Sequence, residues 1–177
     1  MTKHARFTST HLPVAAMALA LAVAAGSAHA AETTAQATST VVAPIAIAKS
    51  ADLAFGNFAP GAAPGTVTIS PNGVRAVAGG ATGMAGSTTA AQFTVTGQAG
   101  STYTISVSGT PLTSGSDTMA FTAVSDLTAS AITTGNVTSG TLTGGTQSIF
   151  VGGQLAVAAN QPAGSYVGTI TATVDYN

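Results

Sequence analysis

Chemistry at neutral pH needs a nucleophile, a base or a metal ligand, and this chain offers few of them. Its three histidines, His4, His11 and His29, all lie in the first thirty residues, and it has no cysteine. Ser–His and Cys–His systems are therefore excluded beyond residue 30. A Ser–Lys pair could use only Lys49 beside Ser50. Neighbours on a strand point to opposite faces, so Lys49 reads as a solvated charge. Asp117 and Asp126 leave paired carboxylates, as in glycoside hydrolysis, as the remaining route. Both sit among Ser, Thr and Gly, where Asp commonly bonds its own backbone, and Asp52 in "KSADLAFG" reads as a turn or strand end. No calcium-loop, zinc or phosphate-binding spacing occurs, and the glycines read as turns and bulges. Asn136-Val137-Thr138 matches a glycosylation acceptor, a pattern that a Thr-rich chain produces by chance. The expectation is a non-enzymatic protein with no catalytic, metal or cofactor-binding residues and no cofactor.

Residues 1–30 look like an export signal. Lys3 and Arg6 precede the apolar run from Leu12 to Ala25, and Ala28 to Ala30 supplies small residues for cleavage. The run is short for a membrane span. An exported protein is expected, in the periplasm, at the cell surface or outside the cell, with no membrane insertion after signal cleavage. Beyond residue 30 the basic side chains are Lys49 and Arg75, against Glu32, Asp52, Asp117, Asp126 and Asp175. That balance is too sparse to attract nucleic acid or an anionic membrane. Without disulfides, stability must come from packing and strand pairing.

The remainder reads as strands. "QFTVTG", "TYTISVSG" and "GQLAVAAN" place Phe93 and Val95, Tyr103, Ile105 and Val107, and Leu155 and Val157 on one face, with mostly polar or small residues on the other. "TGQAGST" could close the Phe93 strand onto the Tyr103 strand, "ANQPAGS" the Leu155 strand onto the last one, and "SPNG" suits a tight turn after "TVTI". An outer-membrane barrel would want two aromatic girdles, and the few Phe and Tyr here are a core's supply. The predicted fold is therefore all-β, an antiparallel sandwich, with a barrel as the lesser alternative. Residues 31–40 form an N-terminal extension, flexible or a donor strand, and residues 41–177 form the sandwich domain; the structure of residues 78–91 stays open.

The most regular strand is "GSYVGTITATVDYN", in which Gly164, Tyr166, Gly168, Ile170, Ala172, Val174 and Tyr176 share one phase. Together with "APIAIAKSADLAFGNFAPG", it resembles the DUF4402 family of small secreted bacterial proteins, whose marks are an L-x-F-G near the start and a Gly-x-Tyr-x-Gly-x-hydrophobic strand at the end. The resemblance covers most of residues 40 to 177. More distantly the chain is similar to chaperone–usher pilus subunits and spore-coat-U-like proteins. That likeness implies an immunoglobulin-like sandwich short of one strand, which a chaperone and then a neighbouring subunit supply. Such subunits commonly close with a penultimate aromatic and a glycine fourteenth from the end, as Tyr176 and Gly164 stand here.

Taken together these readings predict a structural or adhesive subunit of a bacterial surface appendage or coat, assembling by β-strand addition. The seven residues from Gly164 to Tyr176 would form the receiving strand, and Val41, Ala43, Ile45 and Ile47 a candidate donor. Partners would be other copies of itself or related subunits, handled by a periplasmic chaperone and usher. The alternative is a self-complete secreted module that binds carbohydrate or protein through its loops.

Overall fold

The computed structural model describes residues 30–177, so all of the expected signal peptide except Ala30 lies outside the described residues. The chain divides into two units, Met1–Thr40 and Val41–Asn177. In the first, residues 30–40 are exposed and form neither strand nor helix.

The second unit is all-β and antiparallel. Its strands are β1 (Ala46–Ala51), β2 (Phe58–Ala59), β3 (Gly65–Ile69), β4 (Arg75–Gly79), β5 (Thr82–Gly83) and β6 (Ala91–Thr96), then β7 (Thr102–Gly109), β8 (Leu112–Ser114), β9 (Asp117–Asp126), β10 (Ser139–Thr141), β11 (Thr146–Val157) and β12 (Ile170–Tyr176). One sheet runs β1-β6-β11-β3-β4, with β9 and then β8 on the second flank of β11. A second sheet is β10-β7-β12, and β2 and β5 form a small ribbon. Strand β11 is the hub: residues 146–151 pair with β6, residues 153–157 with β3, and residues 150–156 with β9 on the other side.

Alternation explains the core. In β7 Tyr103 and Ile105 are buried while Thr102, Thr104, Ser106 and Ser108 are exposed, so one face of the three-stranded sheet is apolar and the other is a layer of hydroxyls. Tyr103, Ile105 and Val174 of that sheet meet Val95, Ile149 and Val151 of the larger one in a single cluster. A second cluster, with Phe55, Val67, Ile69, Met119, Leu155 and Val157, fills the other end.

Two expected connections are overturned. The segment "TGQAGST" does not close a hairpin, because β6 pairs with β1 and β11 whereas β7 pairs with β10 and β12. Likewise "ANQPAGS" carries the chain from β11 in one sheet to β12 in the other. Both pairs of strands face one another across the core instead of lying side by side. The third connection is a hairpin: Ile69 pairs with Arg75 and the Gly73 N–H donates to the Ser70 carbonyl at 2.8 Å. Gly73 has φ +82, a conformation glycine adopts without steric cost. Residues 78–91 are partly strand: they finish β4, contribute β5, and bridge Thr89 to Ala54.

Tyr103 carries a testable cost. It is fully buried, and its hydroxyl has no partner among the described residues. Burial pushes its pKa up. A buried hydroxyl without a hydrogen bond costs about 1–3 kcal/mol. Tyr103→Phe is expected to raise stability by about 1 kcal/mol in urea unfolding; a loss of stability would show that the hydroxyl is satisfied in solution.

Candidate functional site

Among the described residues, strand β12 hydrogen-bonds to one neighbouring strand, β7, over its whole length. The register fixes which of its backbone groups that neighbour uses. Thr110 N–H donates to Thr169 O at 2.9 Å and Asn177 N–H to Thr102 O at 3.3 Å, so the odd positions form the hydrogen-bonded pairs with β7. Ile170, Ala172, Val174 and Tyr176 therefore direct their N–H and C=O groups away from β7. Upstream, Val167 exchanges both bonds with Thr113, at 2.9 and 3.0 Å, so Tyr166 and Gly168 turn the same way. The phase read from the sequence thus has two consequences at once. Even positions send side chains toward the core and backbone polar groups to an edge with no strand beside it among the described residues.

Beside that edge lies an apolar cleft of about 610 Å³. One wall is residues 161–170; the other is residues 53–60, with Met119, Phe121 and Leu155 behind. The two stretches singled out in the sequence, Leu53-Ala54-Phe55-Gly56 and Gly164 to Ile170, thus meet across one opening. Phe55 and Phe121 stack edge to face, centroids 6.2 Å apart at 85°. On the other wall Gln161 is buried; its Nε2 donates to Thr118 O at 3.3 Å and to Tyr166 Oη at 2.9 Å, and Tyr166 donates to Pro162 O at 2.9 Å. Those bonds fix the Tyr166 ring along the cleft.

Arg75 holds the first wall from outside. Its guanidinium donates to Phe55 O at 3.0 Å, Asn57 O at 2.9 Å and Met84 O at 2.6 Å. Gly56 has φ +66, and a Cβ there would stand 2.8 Å from Arg75 Nη1, so the glycine of the first mark lets the guanidinium approach.

At the opposite end of β12, Tyr176 reaches the segment that leads into β1 and the turn after β6. Its hydroxyl donates to Ala43 O at 2.8 Å and accepts the Gln98 N–H at 2.6 Å. Ala43 N–H reaches Gln98 Oε1 at 3.5 Å. Tyr176→Phe is expected to cost about 1 kcal/mol and to speed amide exchange across residues 43–47, leaving the rest of the sheet protected; unchanged exchange there would mean the bond does not hold the segment.

The expected site residues separate. The strand expected from Gly164 begins only at Ile170: Ile170, Ala172, Val174 and Tyr176 share one phase of β12, Tyr166 and Gly168 precede it around the Val167 bridge, and Gly164 lies in an exposed bend; the Tyr176 hydroxyl is engaged by its own chain. Of the candidate donor, Ile45 and Ile47 pack against the core and Ile47 pairs with Val95 in β1, whereas Val41 is 94% exposed. Asp117 and Asp126 open and close the ten-residue β9, placing their backbones about 30 Å apart. Asp126 accepts bonds from Leu127 N–H at 2.8 Å and Thr128 Oγ1 at 3.1 Å. Lys49 Nζ goes to Asp52 at 2.7 Å and Ser50 Oγ to Thr94 at 2.9 Å, so neither serves the other. No group of three or more His, Cys, Asp or Glu that could hold a metal ion occurs among the described residues. Leu53, Phe55, Arg75 and Gln161 were not foreseen as site residues.

Residues 45–176 match the family model described as "Domain of unknown function (DUF4402)". No curated protein and no solved structure matches the chain.

Proposed function

The chain belongs to the DUF4402 family, whose function is undefined, and from that premise we propose that it is an exported, non-enzymatic structural or adhesive subunit of a bacterial surface appendage or coat, assembling by β-strand addition. The observation that carries this reading is that β12 has one strand neighbour among the described residues: its other edge, backbone groups outward, is unpaired there and lies alongside an apolar cleft. In this reading the two sheets are an immunoglobulin-like sandwich short of one strand, and the missing strand lies between β1 and β12. A donor would add backbone hydrogen bonds for strength, and its alternate side chains would set the register. Export follows from the signal-like residues 1–30, and the partners are other copies or related subunits, with a periplasmic chaperone and usher handling the unfilled edge.

The test is the assembly state of the chain from residue 31, by size-exclusion chromatography with light scattering and by electron microscopy. Aggregation through the open edge, relieved by an added strand peptide, is expected. A monodisperse, heat-resistant monomer whose β12 amides are fully protected from exchange would mean that the fold is complete without a partner strand.

A further inference from the structure

The size and chemistry of the cleft say what an incoming strand must carry. Its volume of about 610 Å³ is on the order of four cavities of the ~150 Å³ kind that each accept a benzene ring. Leu53, Phe55, Met119, Phe121, Tyr166 and Ile170 face it, and no Asp, Glu, Lys or Arg is among the lining residues. The Gln161 amide and the Tyr166 hydroxyl already bond within their own wall, and the Arg75 guanidinium is directed at three carbonyls. An occupant must therefore be uncharged and must bring several large apolar groups.

The chain's own extension does not supply them. Residues 31–40 contain only Ala, Glu, Thr, Gln and Ser, followed by Val41 and Val42. Ala43 precedes Pro44, which favours an extended backbone at Ala43, and its two backbone groups meet Gln98 and Tyr176. Alanine methyls entering at alternate positions would leave most of the volume empty.

We propose that the cleft accepts an extended, uncharged segment of a different protein, with large aliphatic or aromatic side chains at alternate positions, and not the extension of a second copy. Inward side chains recur about every 6.6–6.8 Å along a strand, so a seven-residue stretch delivers four of them. The backbone half of this proposal rests on the strand-addition reading above: the outward groups of Tyr166, Gly168, Ile170 and Ala172 would pair with the segment. A small apolar molecule could fill the volume but would leave those groups to water.

The test uses the chain from residue 31 and four probes. These are a ten-residue peptide alternating Thr and Leu, one alternating Thr and Ala, a peptide of residues 31–42, and N-phenyl-1-naphthylamine as a small apolar molecule. Affinities come from calorimetry, and amide exchange reports residues 166–176. The Leu peptide is expected to bind at least about a hundredfold more tightly than the Ala peptide, with the 31–42 peptide as weak as the latter. Ala163→Trp, at an exposed lining position, should weaken the Leu peptide at least about tenfold without changing the melting temperature. Equal binding of the 31–42 and Leu peptides would overturn the proposal in favour of a second copy. Binding of the naphthylamine with no peptide bound, or indifference of the Leu peptide to Ala163→Trp, would also overturn it. Slowed amides with equal Leu and Ala affinities would sink the cleft's selectivity while leaving strand addition standing. Leu selectivity without slowed amides would do the reverse.

Discussion

Gly153→Val is expected to destabilise the domain by about 1.5–4.5 kcal/mol, a large share of the total if that lies near the low end of the usual ~5–15 kcal/mol. Gly153 is buried in the middle of β11, and a Cβ there would overlap the Phe121 ring and stand 2.8 Å from the Thr122 carbonyl. The ring cannot retreat, because its other edge lies against Gly109 of β7, where a Cβ would overlap it as well. Phe121 is thus clamped between two glycines from different sheets, and it stacks on Phe55 in the cleft wall. Overpacking of this kind costs about 1–3 kcal/mol, and loss of the aromatic pair adds about 0.5–1.5 kcal/mol. Urea unfolding measures the effect. Gly115→Asn, in a hairpin turn with φ +62 and no atom within 4 Å of an added Cβ, is the control and should change little, since Asn tolerates that conformation. If the clamp is the cause, Phe121→Leu should be less damaging in the Gly153→Ala background than alone, a coupling that a double-mutant cycle reads directly. Additive effects would place the cost in the β11 backbone instead.

What the sequence displays well is the face each strand buries. In β7 and β12 the polar-apolar alternation matches the observed burial, and "SPNG" makes the turn that its residues favour. Partner choice is another matter. Two strands that face each other across a core show the same alternation as two strands in a hairpin, so "TGQAGST" and "ANQPAGS" look like hairpin loops while crossing between sheets. Strand β9 is also obscure in sequence, because "DTMAFTAVSD" begins and ends with Asp and contains Thr, Ala and Ser among its apolar residues. Strand β11 continues through Gly152 and Gly153, where pairing on one flank passes from β6 to β3, and paired glycines in a sequence suggest an interruption. The candidate site divides along the same line. Its half at residues 166–176 follows local periodicity and can be read directly. Its other half needs Leu53 and Phe55 brought across from residues more than a hundred positions away, and needs Arg75, which looks like a solvated charge, turned inward onto three carbonyls.

Proline substitution along β12 should separate folding from assembly, because the two uses of this strand fall on alternate residues. Ala172 directs its N–H to the open edge, so Ala172→Pro removes a donor that the monomer does not use; proline is tolerated at such edge positions. The domain should stay folded, at a cost of about 1 kcal/mol from the restricted φ. An added strand would lose a ladder bond and meet the proline ring, so strand addition along β12 should be abolished. Thr173 lies opposite Ser106 in a hydrogen-bonded pair. Thr173→Pro therefore breaks the sheet from within and should cost about 3 kcal/mol or more, leaving little folded protein. Circular dichroism with urea unfolding reads the first property, and chromatography with electron microscopy reads the second. A folded Ala172→Pro chain that assembles like the parent would show that partners do not use this edge. Unfolding by Ala172→Pro together with tolerance of Thr173→Pro would show that the outward groups belong to the odd positions. The contrast between neighbouring residues is what makes the test specific. A general loss of strand propensity would affect both variants alike, whereas an edge kept free for a partner strand separates them.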